Sequence, residues 1–134
     1  MALRARVEDL INRYSLAYDS ADWDEMRSVF TEDAVFRLRL PGNDPISFDG
    51  RDAILGLMTD SAKTQTDQRR HINSNLIVHD RGSEHIETTH YLTLVGTENG
   101  EITLITAGVY RLKIADDGGT LRLRELDLSL DRPY

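Results

Sequence analysis

Cysteine is absent from the 134 residues. That excludes disulfides, thiol nucleophiles and cysteine-based zinc or iron–sulfur sites. Basic residues are outnumbered: 16 Lys+Arg face 23 Asp+Glu, a formal net charge of 16 − 23 = −7. An excess of this sign argues against nucleic acid or an anionic membrane as partner. No apolar run approaches the roughly 18 residues of a membrane span. The opening Met1-Ala2-Leu3-Arg4-Ala5-Arg6 lacks the unbroken apolar stretch of a signal peptide, so the expected location is cytoplasmic. A glycine-rich phosphate loop after a strand and a Gly-x-Ser-x-Gly elbow are both missing. No His-x-x-x-His or His-x-His pair with a third ligand appears, so neither a metal nor a cofactor is expected. The chain is long enough for one domain, residues 1–134, and too short for two. Its chemistry must come from carboxylates, four histidines and a few tyrosines.

Apolar residues at Leu3, Val7, Leu10, Ile11, Tyr14, Ala17 and Tyr18 recur at spacings of three and four, which predicts a helix over 3–19. Asp22-Trp23-Asp24-Glu25 reads as a capping box opening a short helix with Trp23, Met26, Val29 and Phe30 inward, ended by Thr31-Glu32-Asp33. Residues 34–40 alternate with period two and predict a strand with Arg37 and Arg39 outward. Ile46-Ser47-Phe48 reads as a return strand. A third helix carries Ala53, Ile54, Leu57 and Met58, and 61–68 reads as a polar loop.

From about 69 onward the pattern is strand: 71–79, a turn at Asp80–Ser83, 84–95, an Asn99-Gly100 hairpin, 101–114, a turn at 116–119, and 121–130. The last strand shifts its apolar parity from Leu121 and Leu123 to Leu126, Leu128 and Leu130, which predicts a β-bulge near Arg124-Glu125. Helices first and hairpin-linked strands after them imply an α+β fold with three N-terminal helices over one face of a curved sheet. The strand over 101–114 is apolar on both faces, with Ile102, Leu104 and Leu112 on one side and Ile105, Ala107 and Val109 on the other. This predicts a second subunit on the outer face, a homodimer or higher homo-oligomer.

Asp19 falls at the C-terminal end of the first helix, where the macrodipole disfavours a negative charge. A nearby imidazolium would offset that cost; the alternative is a plain Asp/Ser turn. His71 shares parity with Asn73 and Asn75, either a solvated stripe or one lining a cavity beneath the helices. His90 shares parity with Thr88, Leu92 and Leu94, so it is either a core histidine or a site residue. His79 and His85 flank the expected turn and read as exposed. Asp127, between Leu126 and Leu128, faces either the cavity as a third acid or solvent.

Tyr18-Asp19-Ser20-Ala21-Asp22-Trp23-Asp24, Phe30-Thr31-Glu32-Asp33-Ala34-Val35-Phe36, Phe48-Asp49-Gly50-Arg51-Asp52-Ala53-Ile54 and Arg70-His71-Ile72-Asn73 follow one another in an order that resembles SnoaL-like domains of the nuclear-transport-factor-2-like superfamily. The first run is most similar to Asp–His lyases of the scytalone dehydratase type. The resemblance implies a cone-shaped curved mixed/antiparallel sheet, a cystatin-like α+β barrel, with the helices on its concave face. It further implies that His71 removes a proton from carbon, that Asp19 orients it, and that Tyr18 or His90 donates to a substrate oxygen. The position of the second tyrosine of those lyases reads Arg37-Leu38 here; without gaps their second histidine falls near Gly96, with His90 six residues earlier on the same strand and parity as the alternative. Tyr14, Trp23, Phe36, Phe48, Met58, Asn73, Tyr110 and Asp127 are the expected substrate-lining residues. The expected function is a cofactor-independent lyase or isomerase for a small, largely apolar substrate, with dehydration ahead of isomerisation or ring closure. The alternatives are a non-catalytic ligand-binding or protein-docking domain, or an accessory subunit of a larger enzyme.

Overall fold

The computed structural model describes residues 2–79 and 84–134. The expected turn at Asp80–Ser83 lies outside the described residues. The first apolar stripe forms α1 (Leu3–Asp19), which buries Val7, Leu10, Ile11, Tyr14 and Ala17. The Ser20 hydroxyl donates back to the Leu16 carbonyl at 2.7 Å, and Ala21 turns the chain at φ +56°. The Asp22 carboxylate then accepts the Glu25 N–H at 3.2 Å and caps α2 (Trp23–Ser28). Glu25, expected to reach back to the cap, lies instead 3.9 Å from Arg13.

The short helix ends earlier than its apolar pattern predicts. The Val29 carbonyl accepts the Leu123 N–H at 2.7 Å, so the chain joins the sheet at Phe30. β1 (Phe30–Arg39) thereby absorbs Thr31–Asp33. β2 (Ile46–Asp49) pairs back on β1. α3 (Arg51–Thr64) runs through residues expected as loop. There the Thr64 hydroxyl donates to the Ser61 carbonyl at 3.0 Å, and the Gln65 N–H to that of Ala62 at 3.3 Å. The chain continues as β3 (Gln68–His79), β4 (Ile86–Glu98), β5 (Glu101–Asp117) and β6 (Thr120–Leu130). Asn99 and Gly100 take φ +53° and +78° between β4 and β5, as a hairpin turn of the mirror-image type requires.

The six strands lie in the order β2-β1-β6-β5-β4-β3. All neighbours are antiparallel except β1 and β6. β2 and β3 are edges, so the cone is an open α+β sheet with the helices on one side rather than a closed barrel. Val7, Ile11 and Tyr14 of α1 and Ile54 and Met58 of α3 form the core with Phe30, Leu92, Tyr110, Ile114 and Leu126 of the sheet. No helix among the described residues is long and apolar enough to cross a membrane.

Besides the register shift between Phe30 and Val35 where β1 meets β6, three bulges shape the described part of the sheet. Arg124 is the extra residue of β6, since Lys113 pairs with Glu125 while Ile114 pairs with Leu123; this is the slip that the apolar parity predicts. Asn75 and Leu76 together face one residue of β4, with Asn75 at φ +59°, so Asn75 leaves the stripe it shares with His71 and Asn73. In β5, Leu94 pairs with Thr106 and Val95 with Leu104, leaving Ile105 extra. That third bulge corrects the two-faced reading of the strand. Ile102 and Leu104 lie outward with Ala107 and Val109, while Leu112 faces the core.

The outer face therefore divides in two. One end is charged: Arg37 and Lys113 both pair with Glu125, and Arg39 with Asp127. The other end is apolar, with Ile72 48%, Tyr91 53% and Leu104 62% exposed.

At Gly108, β5 leaves no room for a side chain beside β6. A Cβ there would stand 2.3 Å from the Ser129 carbonyl oxygen and 3.1 Å from Leu130 Cα. Both are backbone atoms that cannot turn aside. Gly108→Ala is expected to destabilise the fold by about 1–3 kcal/mol, read as a lower urea midpoint at unchanged slope. A wild-type midpoint would show that the strands separate freely.

Candidate active site

α1 ends and β3 begins on the same side of the sheet, which brings Asp19 against His71. Asp19 Oδ1 lies 2.6 Å from His71 Nδ1. The other carboxylate oxygen accepts the His71 backbone N–H at 2.9 Å. Both side chains are below a tenth exposed. A carboxylate only accepts, so in the neutral ring the proton sits on Nδ1 and the lone pair on Nε2. Nε2 has no hydrogen-bond partner among the described residues. The Tyr18 ring stacks on the imidazole at 4.8 Å between centroids, and Tyr14 meets it edge-on at 6.4 Å.

These groups line a cavity of about 180 Å³ between the helices and the sheet. Its walls are apolar, with Phe36, Leu38, Met58, Leu92 and Leu128 among them. Its polar groups are Tyr14, Tyr18, Asp19, His71, Thr106 and Tyr110, with Gln65, Asp67, Gln68, Arg69 and Tyr134 beside them. Burial pushes the Tyr18 phenol up to about 12, aided by Tyr134 and opposed by Arg69 and Ser61. Burial also raises Tyr14 and Tyr110 well above the usual phenol value. All three are therefore protonated hydrogen-bond donors at neutral pH.

Of the expected site residues, the cavity gathers Tyr14, Tyr18, Asp19, Phe36, Met58, His71 and Tyr110. The other five lie elsewhere. Trp23 packs edge-on to Tyr18 at 6.2 Å, and Phe48 edge-on to Phe36 at 6.1 Å; each supports a lining ring from behind. Asn73 donates to the Ser15 hydroxyl at 2.8 Å and faces His90 Nε2 at 3.1 Å. His90 stacks on Tyr110 at 4.9 Å and does not reach the cavity. Asp127 faces away from it: parity carries it to the outer face, where both its oxygens bind Arg39 at 2.9 and 3.0 Å.

Asp67, Gln68 and Arg69 escaped the sequence reading because the stretch before His71 looked like a polar loop. The signal was present, since Arg69 shares the inward parity of His71. Thr106 was also missed, although it shares parity with Tyr110. Among the described residues no group of three or more His, Asp or Glu is placed to hold a metal ion.

His90 is 3% exposed, and desolvation lowers its pKa from 6.5 to about 4. Between those values the unfolded chain carries a proton that the folded chain excludes. The stabilisation is complete above pH 6.5 and is lost as pH falls toward 4. By pH 5 the loss reaches about 2 kcal/mol at most. Denaturant unfolding at pH 7 and pH 5 should show that decline in the wild type and a flatter one in His90→Phe. Equal slopes for the two proteins would place the acid sensitivity elsewhere.

Residues 1–127 match a family profile described as a SnoaL-like domain. No curated protein matches significantly. Among solved structures, a Catenulispora acidiphila protein in complex with S-DNPA is 26% identical with a TM-score of 0.83, over 96% of this chain and 93% of that one. ActVI-ORFA from Streptomyces coelicolor is 20% identical with a TM-score of 0.83, over 97% and 98%. A Novosphingobium aromaticivorans protein assigned as the beta subunit of an aromatic-ring-hydroxylating dioxygenase is 17% identical with a TM-score of 0.81, over 97% and 90%.

Proposed function

The chain belongs to the SnoaL-like domain family, and within it we propose that this protein is a cofactor-independent lyase or isomerase working by proton abstraction from carbon. The observation that carries the reading is the 2.6 Å contact between Asp19 and His71 on the wall of a largely apolar cavity. His71 Nε2 takes the proton. Asp19 holds the ring in the tautomer that leaves Nε2 free, and stabilises the imidazolium that forms. That cation also offsets the cost of a carboxylate at the C-terminal end of α1.

The electron pair left on carbon moves onto an adjacent carbonyl, whose oxygen accepts from a phenol. Tyr18 and Tyr110 are the donors of this reading; His90, held behind Tyr110, is not. From the enolate, expulsion of a β-hydroxyl gives dehydration, reprotonation elsewhere gives isomerisation, and attack on a second carbonyl gives ring closure. The Catenulispora protein of this fold is in complex with S-DNPA, which supports a ligand-binding role for the fold here.

His71→Gln and Asp19→Asn are each expected to lower kcat by about 10²–10⁴-fold, with the circular dichroism spectrum unchanged. Asp19→Asn acts through the tautomer and the lost imidazolium stabilisation. Wild-type kcat in folded His71→Gln would reject the mechanism.

The apolar end of the outer face supports a homodimer formed through Ile72, Tyr91 and Leu104. A contiguous apolar surface of this kind marks an interaction site. The fold shared with a dioxygenase beta subunit supports a second reading, in which the same face seats a larger enzyme subunit. Light scattering is expected to give a dimer at micromolar concentration, and a monomer for the Tyr91→Glu/Leu104→Glu double variant. A monomeric wild type excludes the homodimer and favours the second reading.

A further inference from the structure

Among the described residues, Arg69 is the only Lys or Arg that lines the cavity. It stands two residues before His71 on β3, on the same inward face. Its side chain is 19% exposed and that of its partner Asp67 18%. The pairing is partial: Arg69 Nε lies 3.3 Å from Asp67 Oδ1, and the two Nη groups have no hydrogen-bond partner among the described residues. The guanidinium stem is mostly buried while its fork is left open to the cavity, and the ligand that fits such a fork is a planar, two-oxygen anion.

The chain has arranged for this geometry. A Cβ at residue 96 would stand 2.4 Å from Asp67 Oδ2 and 2.8 Å from Ile105 Cδ1. The absent side chain of Gly96 is what lets Asp67 lie under Arg69 and hold its Nε. The other carboxylate of the cavity, Asp19, is already committed to His71 through both oxygens.

We propose that Arg69 anchors a carboxylate of the substrate, so that the site takes a small ring carboxylic acid with the anion at Arg69 and the reacting C–H toward His71. Inward neighbours on a strand are about 7 Å apart. The placement of the C–H rests on the proton-abstraction reading above; the recognition of the carboxylate does not.

Benzoate and benzamide test the anchor, because they share a shape that the cavity accommodates and differ in charge. Their binding is followed by shifts of the His71 and tyrosine side-chain resonances at pH 7.5. In the wild type benzoate is expected to bind at least about tenfold tighter than benzamide. Arg69→Gln should bring the two affinities together, and Arg69→Lys should reduce the preference at least about threefold because it keeps the charge and loses the fork. Should Arg69→Gln not fold, Arg69→Lys alone decides.

His71→Gln should keep the preference, which separates this inference from the catalytic one. If His71→Gln kills turnover but keeps the preference, both stand; if turnover survives, only the proton-abstraction reading falls. Equal affinities in the wild type overturn the proposal. So does a preference undiminished in the Arg69 variants, or one lost in His71→Gln, which would make the imidazole the anchor. The absence of saturable binding by either compound up to roughly 10 mM also overturns it.

Discussion

One carboxylate fastens the end of a helix to an edge strand of the sheet. Asp19 binds His71 twice, once at the ring and once at the backbone N–H. The second bond is as important as the first, because it ties the α1 terminus to the β3 main chain and so fixes the distance across which the ring bond forms. With that hold in place, Tyr18 must lie against the imidazole and Tyr14 must face the cavity. Tyr14 in turn meets Tyr18, Phe30, His71 and Tyr110 edge-on at 6.0–6.4 Å. Edge-on pairs of this kind contribute about 0.5–1.5 kcal/mol each beyond their burial. The candidate site and the core are thus the same packed object.

The cavity combines two electrostatic regimes. At the dyad, acid and base are matched and enclosed. At the phenols, burial keeps protons on oxygen and leaves donors without charge. A nascent oxyanion would meet hydrogen-bond donors already fixed in position. Arg69 adds a full charge at the edge of this region, where it is only partly shielded by Asp67.

Much of the fold could be read from periodicity: the α1 stripe, the Asn99-Gly100 hairpin and the parity slip at Arg124 each follow from local rules. Asp19 and His71 were legible as residues, but their meeting came from family resemblance, since they are 52 positions apart. What periodicity misjudged depends on partners distant in sequence. Val29 leaves its helix because Leu123 takes its carbonyl. Asp127 turns outward because β6 alternates strictly beyond its bulge and Arg39 waits on β1. His90 has the right parity and the wrong depth, since Tyr110 stands between it and the cavity. Ser61–Thr64 look like loop by composition, yet hydroxyl and amide donors close their carbonyls and prolong α3.

The extra residue at Ile105 gives β5 two independent histories. On one side of it the strand shows Ile102 and Leu104 to the outside; on the other, Thr106 and Tyr110 face the cavity. Substitutions in the first stretch can remodel what the protein sits against without touching what it encloses. Without Ile105, Leu104 would adjoin Thr106 in the plain outward and inward alternation of a strand, so both faces would keep their residues. The extra residue bends the strand between its two stretches and leaves their division in place.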